Sequence, residues 1–164
     1  MNVMNTVRSR PPTAALLADH PFFSEMPLAS LRRVATHAYR AEFAAGETIF
    51  VEGGVADRFF LLRHGRVRLD MEIAGRGPVA VEYLGADAAL GWSWLLPPHR
   101  WHLGAVAVER TSAVVFDATA MRLLMDADPV LGYELTRRLA AVMFDRLEAT
   151  RARLVADDVL VKLP

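Results

Sequence analysis

The spacing of apolar and polar residues along this chain changes character twice. Near the start, Ala14–Ala18 and then Leu28, Leu31, Val34 and Ala35 fall at helical spacing. Thr13 is placed to cap the first helix and Pro27–Leu28 to open the second. From Phe43 the runs shorten. Thr48–Val51, Phe59–Leu62, Val67–Ile73, Val79–Leu84, Ala105–Val108 and Ala113–Phe116 are rich in Val, Ile, Leu and Phe. Glycines at 46, 53, 54, 65, 75, 77, 85, 91 and 104 separate them. Short strands at close spacing with turn residues between them predict a sandwich or barrel of about eight strands. Val67–Ile73 alternates, so one face is expected to be buried and the other wet, and Gly75-Arg76-Gly77-Pro78 supplies the hairpin turn that follows. After Asp117 the helical period returns. Asp117 is placed to cap Ala118–Met125, and Asp128 with Pro129 at the first helical position opens a long helix to about Val155. Residues 1–12 are expected as a mobile tail, 13–155 as one domain of strands and helix covering each other, and 156–164 as a C-terminal tail.

Composition narrows the function classes. A chain of 164 residues fits one domain and can bury roughly 70% of its unfolded surface. With 53% apolar and 23% charged residues it reads as a soluble globular protein. Nineteen basic residues balance nineteen acidic ones. That balance speaks against nucleic acid as a partner, since such binding needs a cationic stripe to displace counterions. The absence of cysteine excludes disulfides, thiolate chemistry and Cys-ligated zinc. The first residues lack a signal peptide's apolar run, and no stretch approaches the about 18 apolar residues of a membrane span. The expected location is the cytoplasm, with no membrane partner.

The richest segment is Gly91-Trp92-Ser93-Trp94-Leu95-Leu96-Pro97-Pro98-His99-Arg100-Trp101-His102, which contains every tryptophan of the protein. A glycine, a short apolar run and an arginine suggest a phosphate-binding turn. Trp92, Trp94 and Trp101 are either a stacking platform for a planar ligand or packing for a core or partner surface. Arg100 either holds an anion or stacks on a tryptophan.

The series from Phe43-Ala44-Ala45-Gly46-Glu47-Thr48 through Gly53, then Asp57, Phe59–Leu62, Gly65 and Val67, resembles the cyclic-nucleotide-binding domain of the Crp/Fnr superfamily. The resemblance spans residues 15–155. It implies a mainly β fold, an eight-stranded double-sheet jelly roll with N-terminal helices and a long C-terminal helix, and places the phosphate-binding cassette at 85–102. In that family the cassette has Gly-Glu, a few small or apolar residues, then Arg and two small residues. The glutamate takes the ribose hydroxyl, while the arginine and helix-end amides hold the cyclic phosphate. Gly91 and Arg100 match; Trp92 stands at the glutamate, and Trp101 and His102 at the small residues. A hydrogen bond lost from a charged partner costs about 1.5–3 kcal/mol, roughly ten- to a hundred-fold in affinity. Ordinary cAMP binding is therefore not expected, and Pro97–Pro98 should stiffen the approach to Arg100.

Other chemistries fit poorly. A cupin-type metal centre needs a His-x-His pair with a glutamate and a third histidine; His99 and His102 do not supply it, so no metal is expected. His64 is read as an exposed turn residue, His20 as part of a turn and His37 as part of the second helix. Ser93 lacks the following glycine of a nucleophile elbow. Gly75-Arg76-Gly77 with Ala80 lies in a hairpin rather than before a helix, so it is no dinucleotide fingerprint. No carboxylate pair is placed for acid–base work, and the chain is not expected to be an enzyme.

In the last helix Thr136, Ala140, Met143, Leu147, Thr150 and Leu154 form a heptad seam, beside a second stripe of Leu131, Leu135, Leu139 and Val142 expected to lie on the sandwich. The resemblance makes this helix a dimer axis and lid. Regulators of the resembled type continue into a winged helix-turn-helix, whereas this sequence ends at Asp157–Pro164. The expectation is a dimeric sensor module without a resident cofactor. It would bind a nucleotide or other anionic or planar small molecule and act on a separate protein partner. Two alternatives stay open: an interaction module whose pocket is plugged, or a truncated transcription regulator.

Overall fold

The computed structural model describes residues 11–161, with side chains to Asp157. The residues expected as an N-terminal tail lie outside this range up to Arg10, as do 162–164 at the other end. The chain divides after Leu124 into two compact units.

The first unit opens with α1 (Ala14–Ala18), whose Leu16 N–H donates to Thr13 Oγ1 at 3.1 Å. A 3-10 turn follows at Pro21–Phe23 and then α2 (Leu28–Ala35), which buries Leu31, Val34 and Ala35. Eight strands follow. One sheet runs β1 (Ala38–Phe43), β8 (Thr111–Asp117), β3 (Arg58–His64), β6 (Ala89–Leu90). The other runs β2 (Thr48–Phe50), β7 (Gly104–Ala107), β4 (Val67–Ile73), β5 (Gly77–Leu84). This is the expected double-sheet jelly roll with flanking helices. Its interior holds Phe43, Phe50 and Phe60, while Phe59 turns to the outer face with Phe22 and Phe116. Successive strand residues point to opposite faces, so Phe59 and Phe60 divide the apolar mass into two layers. Gly65 (φ +92°) sits so close to the next strand that an added Cβ would lie 2.5 Å from the Arg110 carbonyl oxygen. A side chain there would displace backbone, which explains the glycine.

The structure differs from the sequence expectations at three places. β1 was hidden because Arg40 and Glu42 interrupt its apolar residues, and His37 precedes it instead of ending α2. The alternation in β4 stops at Leu69. A register shift follows, Asp70 is buried against Arg68 (Nε–Oδ1 2.7 Å), and Met71 and Ile73 are exposed. His20 lies in a turn, as expected, at the head of Pro21–Phe23, and is 3% exposed there. Its Nδ1 accepts the Phe22 N–H at 3.2 Å, which leaves Nε2 protonated to donate to the Leu62 carbonyl at 3.2 Å. The third difference is the last helix, which continues past Val155 to Val161.

Burial holds the His20 pKa below the ordinary imidazole value, against opposing pulls from the Leu62 carbonyl and Asp87; Arg63 adds to the lowering. The unfolded chain therefore takes up a proton at higher pH than the folded one. The histidine's contribution is complete above about pH 6.5 and is lost as pH falls below it, by at most about 1.4 kcal/mol per pH unit. Melting between pH 7.5 and 5.5 should fall more steeply in the wild type than in His20→Gln. Parallel curves would remove His20 as the cause.

The two remaining helices are capped as their sequences require. Asp117 Oδ1 accepts the Ala120 N–H at 2.7 Å at the start of α3 (Ala118–Ala127). Asp128 Oδ1 accepts the Leu131 N–H at 3.1 Å at the start of α4 (Pro129–Val161). In the second unit Leu131, Leu135 and Leu139 are buried, while Tyr133, Phe144, Leu147, Leu154 and Val155 are exposed. Arg137 and Arg138 flank Glu134 and hold its carboxyl below the usual range, chiefly through the Arg137 hydrogen bond. Among the described residues no helix is long and apolar enough to cross a membrane.

Candidate functional site

The cassette hangs from β6, the edge strand on β3, where Leu90 pairs with Phe60. Gly91 turns the chain in the left-handed conformation (φ 81°, ψ 64°), and Trp92–Trp94 form one 3-10 turn. The chain then returns to the 51–57 loop and is laced to it by backbone hydrogen bonds. Ala56 N–H donates to the His99 carbonyl (2.8 Å), Trp101 N–H to Gly54 (2.9 Å) and Gly53 N–H to Trp101 (2.8 Å). Arg100 Nη1 adds a bond to the Gly53 carbonyl at 2.9 Å, and its side chain is exposed. The guanidinium thus braces the loop across from it.

The three indoles are not one platform. Trp101 is 4% exposed and stacks on Phe50, ring centroids 3.9 Å apart and planes 15° from parallel. Its other neighbours are Phe60 at 6.4 Å and Gly91, where an added Cβ would lie 2.8 Å from the indole edge. Trp101 therefore lies between the two sheets, inside the sandwich. Trp94 is 1% exposed and lies against Phe59 at 5.9 Å, on the opposite face of β3. Its carbonyl accepts Arg122 Nη1 at 2.9 Å, and its indole Nε1–H is buried without an acceptor among the described residues. Trp92 is half-buried in the same turn. Ser93 Oγ meets His102 Nδ1 at 3.1 Å on the exposed side. The sequence pattern found all these residues, but it gave no sign that Phe50, Gly53 and Phe60 complete the site. Phe50 and Phe60 are ordinary strand aromatics until the sheets are stacked.

Two antiparallel four-stranded sheets, helices at either end and a turn-and-loop cassette between β6 and β7 define a regulatory sensor fold of the cyclic-nucleotide-binding kind. The profile of the cyclic nucleotide-binding domain matches residues 40–128, more than half of the chain, and the chain belongs to that family. Among solved structures it is similar to a provisionally assigned cyclic nucleotide-binding protein from Geobacter metallireducens, with 25% identity and TM-score 0.76 over 83% of this chain and 98% of that one. It is also similar to a cyclic nucleotide-binding domain from Methylobacillus flagellatus, with 19% identity and TM-score 0.75 over 88% and 82% of the two chains. A third is the sensor domain of the transcriptional regulator DNR from Pseudomonas aeruginosa, with 17% identity and TM-score 0.66 over 82% and 90%. No curated protein matches the chain. The likeness to a transcriptional regulator's sensor domain gives no support to the expectation that nucleic acid plays no part.

Proposed function

We propose that this chain is a non-catalytic regulatory module whose cassette is closed by its own tryptophan, and which acts through protein association. The observation that carries the reading is Trp101, stacked on Phe50 inside the sandwich and seated over Gly91. The resemblance puts a cyclic nucleotide's phosphate beside this position. An indole cannot share that space with a ligand, and two backbone hydrogen bonds to the 53–54 loop hold it there. Arg100, which would meet the phosphate, spends one donor on the Gly53 carbonyl. Of the readings open in the sequence, the plugged interaction module is thus favoured over the ligand sensor.

Association is assigned to α4. Thr136, Ala140, Leu147, Thr150 and Leu154 are exposed and Met143 half-buried along one seam, an arrangement suited to a twin helix. All three tryptophans report on the cassette, so one preparation serves both parts of the reading. Titration with cAMP, cGMP, cyclic dinucleotides and AMP should leave fluorescence and melting temperature unchanged. A saturable response abolished by Arg100→Ala would overturn the closed cassette. Sedimentation should show a dimer that Leu147→Glu converts to monomer, and a monomeric wild type would remove the α4 assignment.

A further inference from the structure

α4 carries a third lengthwise pattern, separate from its buried stripe and from the seam assigned to a twin helix. Its apolar members are Val130, Ala141, Phe144 and Val155, and between them stand Glu134, Arg137, Glu148 and Arg151. In chain order these positions recur in alternating steps of four and three, which keeps them on one side of a helix. That side lies about half a turn from Leu131, Leu135 and Leu139, which are buried. Its apolar residues meet water instead: Val130 is 81% exposed, Phe144 61% and Val155 64%, and Ala141 is exposed too. The charged members are paired along the helix, Glu134 with Arg137 at 3.1 Å and Glu148 with Arg151 at 2.8 Å. Both pairs run acid first, base second.

That order makes the face complementary to itself. Beside a copy running the opposite way, Val130 meets Val155, Glu134 meets Arg151, Arg137 meets Glu148 and Ala141 meets Phe144. A two-fold axis then repeats every contact. The one aromatic ring falls on the smallest side chain of the series, and no charge faces a like charge or an apolar group. Beside a parallel copy in register each position meets itself, so all four charged layers would repel. Charge therefore selects both the occupant and its direction, and antiparallel helices also set opposite dipole ends side by side. We infer that this face of α4 docks the same face of a second copy, antiparallel, with Ala141 and Phe144 interlocked at its centre. The charged layers fix the register at a cost in stability, as polar seam positions do in coiled coils. Arg137 bonds Glu134 through Nε and Nη2, and Arg151 bonds Glu148 through Nη1. A guanidinium has five N–H donors, so each arginine can keep its own carboxylate and reach the copy's as well. No residue of the dimer seam takes part. The two faces lie about a third of a turn apart, the spacing at which a helix of a four-helix bundle takes two neighbours. The seam would join copies in pairs, and this face would join pairs into tetramers.

Sedimentation over rising protein concentration tests the pairing. The mass should double, from dimer to tetramer in the wild type and from monomer to dimer in Leu147→Glu. Arg137→Glu sets like charges against each other in two symmetric layers and should weaken this step about ten-fold or more. Adding Glu148→Arg makes those layers unlike again and should restore it. Direction is read separately, by a disulfide test that changes no charge. The chain has no cysteine, so under oxidation a mixture of Val130→Cys and Val155→Cys should link far more than either variant alone. A mass that does not double up to the solubility limit, or that doubles as readily in Arg137→Glu, overturns the pairing. So does a cysteine variant that links to itself as readily as to the other. Leu147→Glu reports the seam and these variants report the opposite-running face, so either assignment can fail while the other stands.

Discussion

Trp101→Ala is expected to destabilise the protein by about 3–5 kcal/mol, the cost of deleting a large aromatic from a packed interior. For a chain of this length that corresponds to a fall in melting temperature of about 6–20 °C. The size follows from where the indole sits: stacked on Phe50, beside Phe60 and over Gly91, almost without solvent exposure. Phe50 belongs to one sheet and Phe60 to the other, so the side chain joins the two layers at the cassette end. A cavity left between them would be apolar and shaped for an indole. Free indole should therefore raise the variant's melting temperature saturably, stabilising it by about 1.4 kcal/mol at ten times its dissociation constant, and leave the wild type alone. If unfolding of Trp101→Ala showed a loss below about 1 kcal/mol, the ring would be a movable lid rather than a plug, and the ligand-sensing alternative would regain ground. An indole response shared by the wild type would mean non-specific binding.

The contrast between Trp101 and Trp94 marks where the sequence stopped being legible. Local devices read well because they depend on a few neighbouring residues. The caps at Thr13, Asp117 and Asp128 are formed as their sequences require, and Gly46, Gly53 and Gly65 all take positive φ. From such signals the jelly roll and its order of elements could be read. The site could not be, because its geometry depends on which face of β3 each tryptophan meets. Trp94 lies on Phe59 and Trp101 beside Phe60, one residue apart in sequence and on opposite faces of the sheet. Seven positions separate the two tryptophans along an irregular segment, where no period of 2 or 3.6 applies, so the sequence offered a platform or a packed core without dividing the rings between two faces. The bulge at Arg63 is similar. Nothing in Leu62-Arg63-His64-Gly65 announces an extra residue; it appears only when β3 is set against β8. The burial of His20 was not legible for a related reason, since its partner carbonyl at Leu62 is distant in sequence and reaches it only through the fold.

Gly91→Ala should cost about 2–5 kcal/mol, and the way this sum divides is what tests the packing. One part is backbone. Gly91 holds φ 81° and ψ 64°, a left-handed conformation that costs an L-residue about 1–2 kcal/mol. The other part is steric: the new methyl group would approach the Trp101 ring at 2.8 and 3.0 Å, and overpacking of this kind typically costs about 1–3 kcal/mol. Only the steric part depends on the indole. With Trp101→Ala already in place, the same Gly91→Ala change should cost only the backbone part. The double variant is then expected to be more stable than the sum of the single losses predicts, by about 1–3 kcal/mol. Denaturant unfolding of the four proteins measures this coupling directly. Agreement with additivity to within about 0.5 kcal/mol would assign the glycine to its turn alone. It would also remove the close seating of Trp101 over Gly91 on which the closed cassette rests.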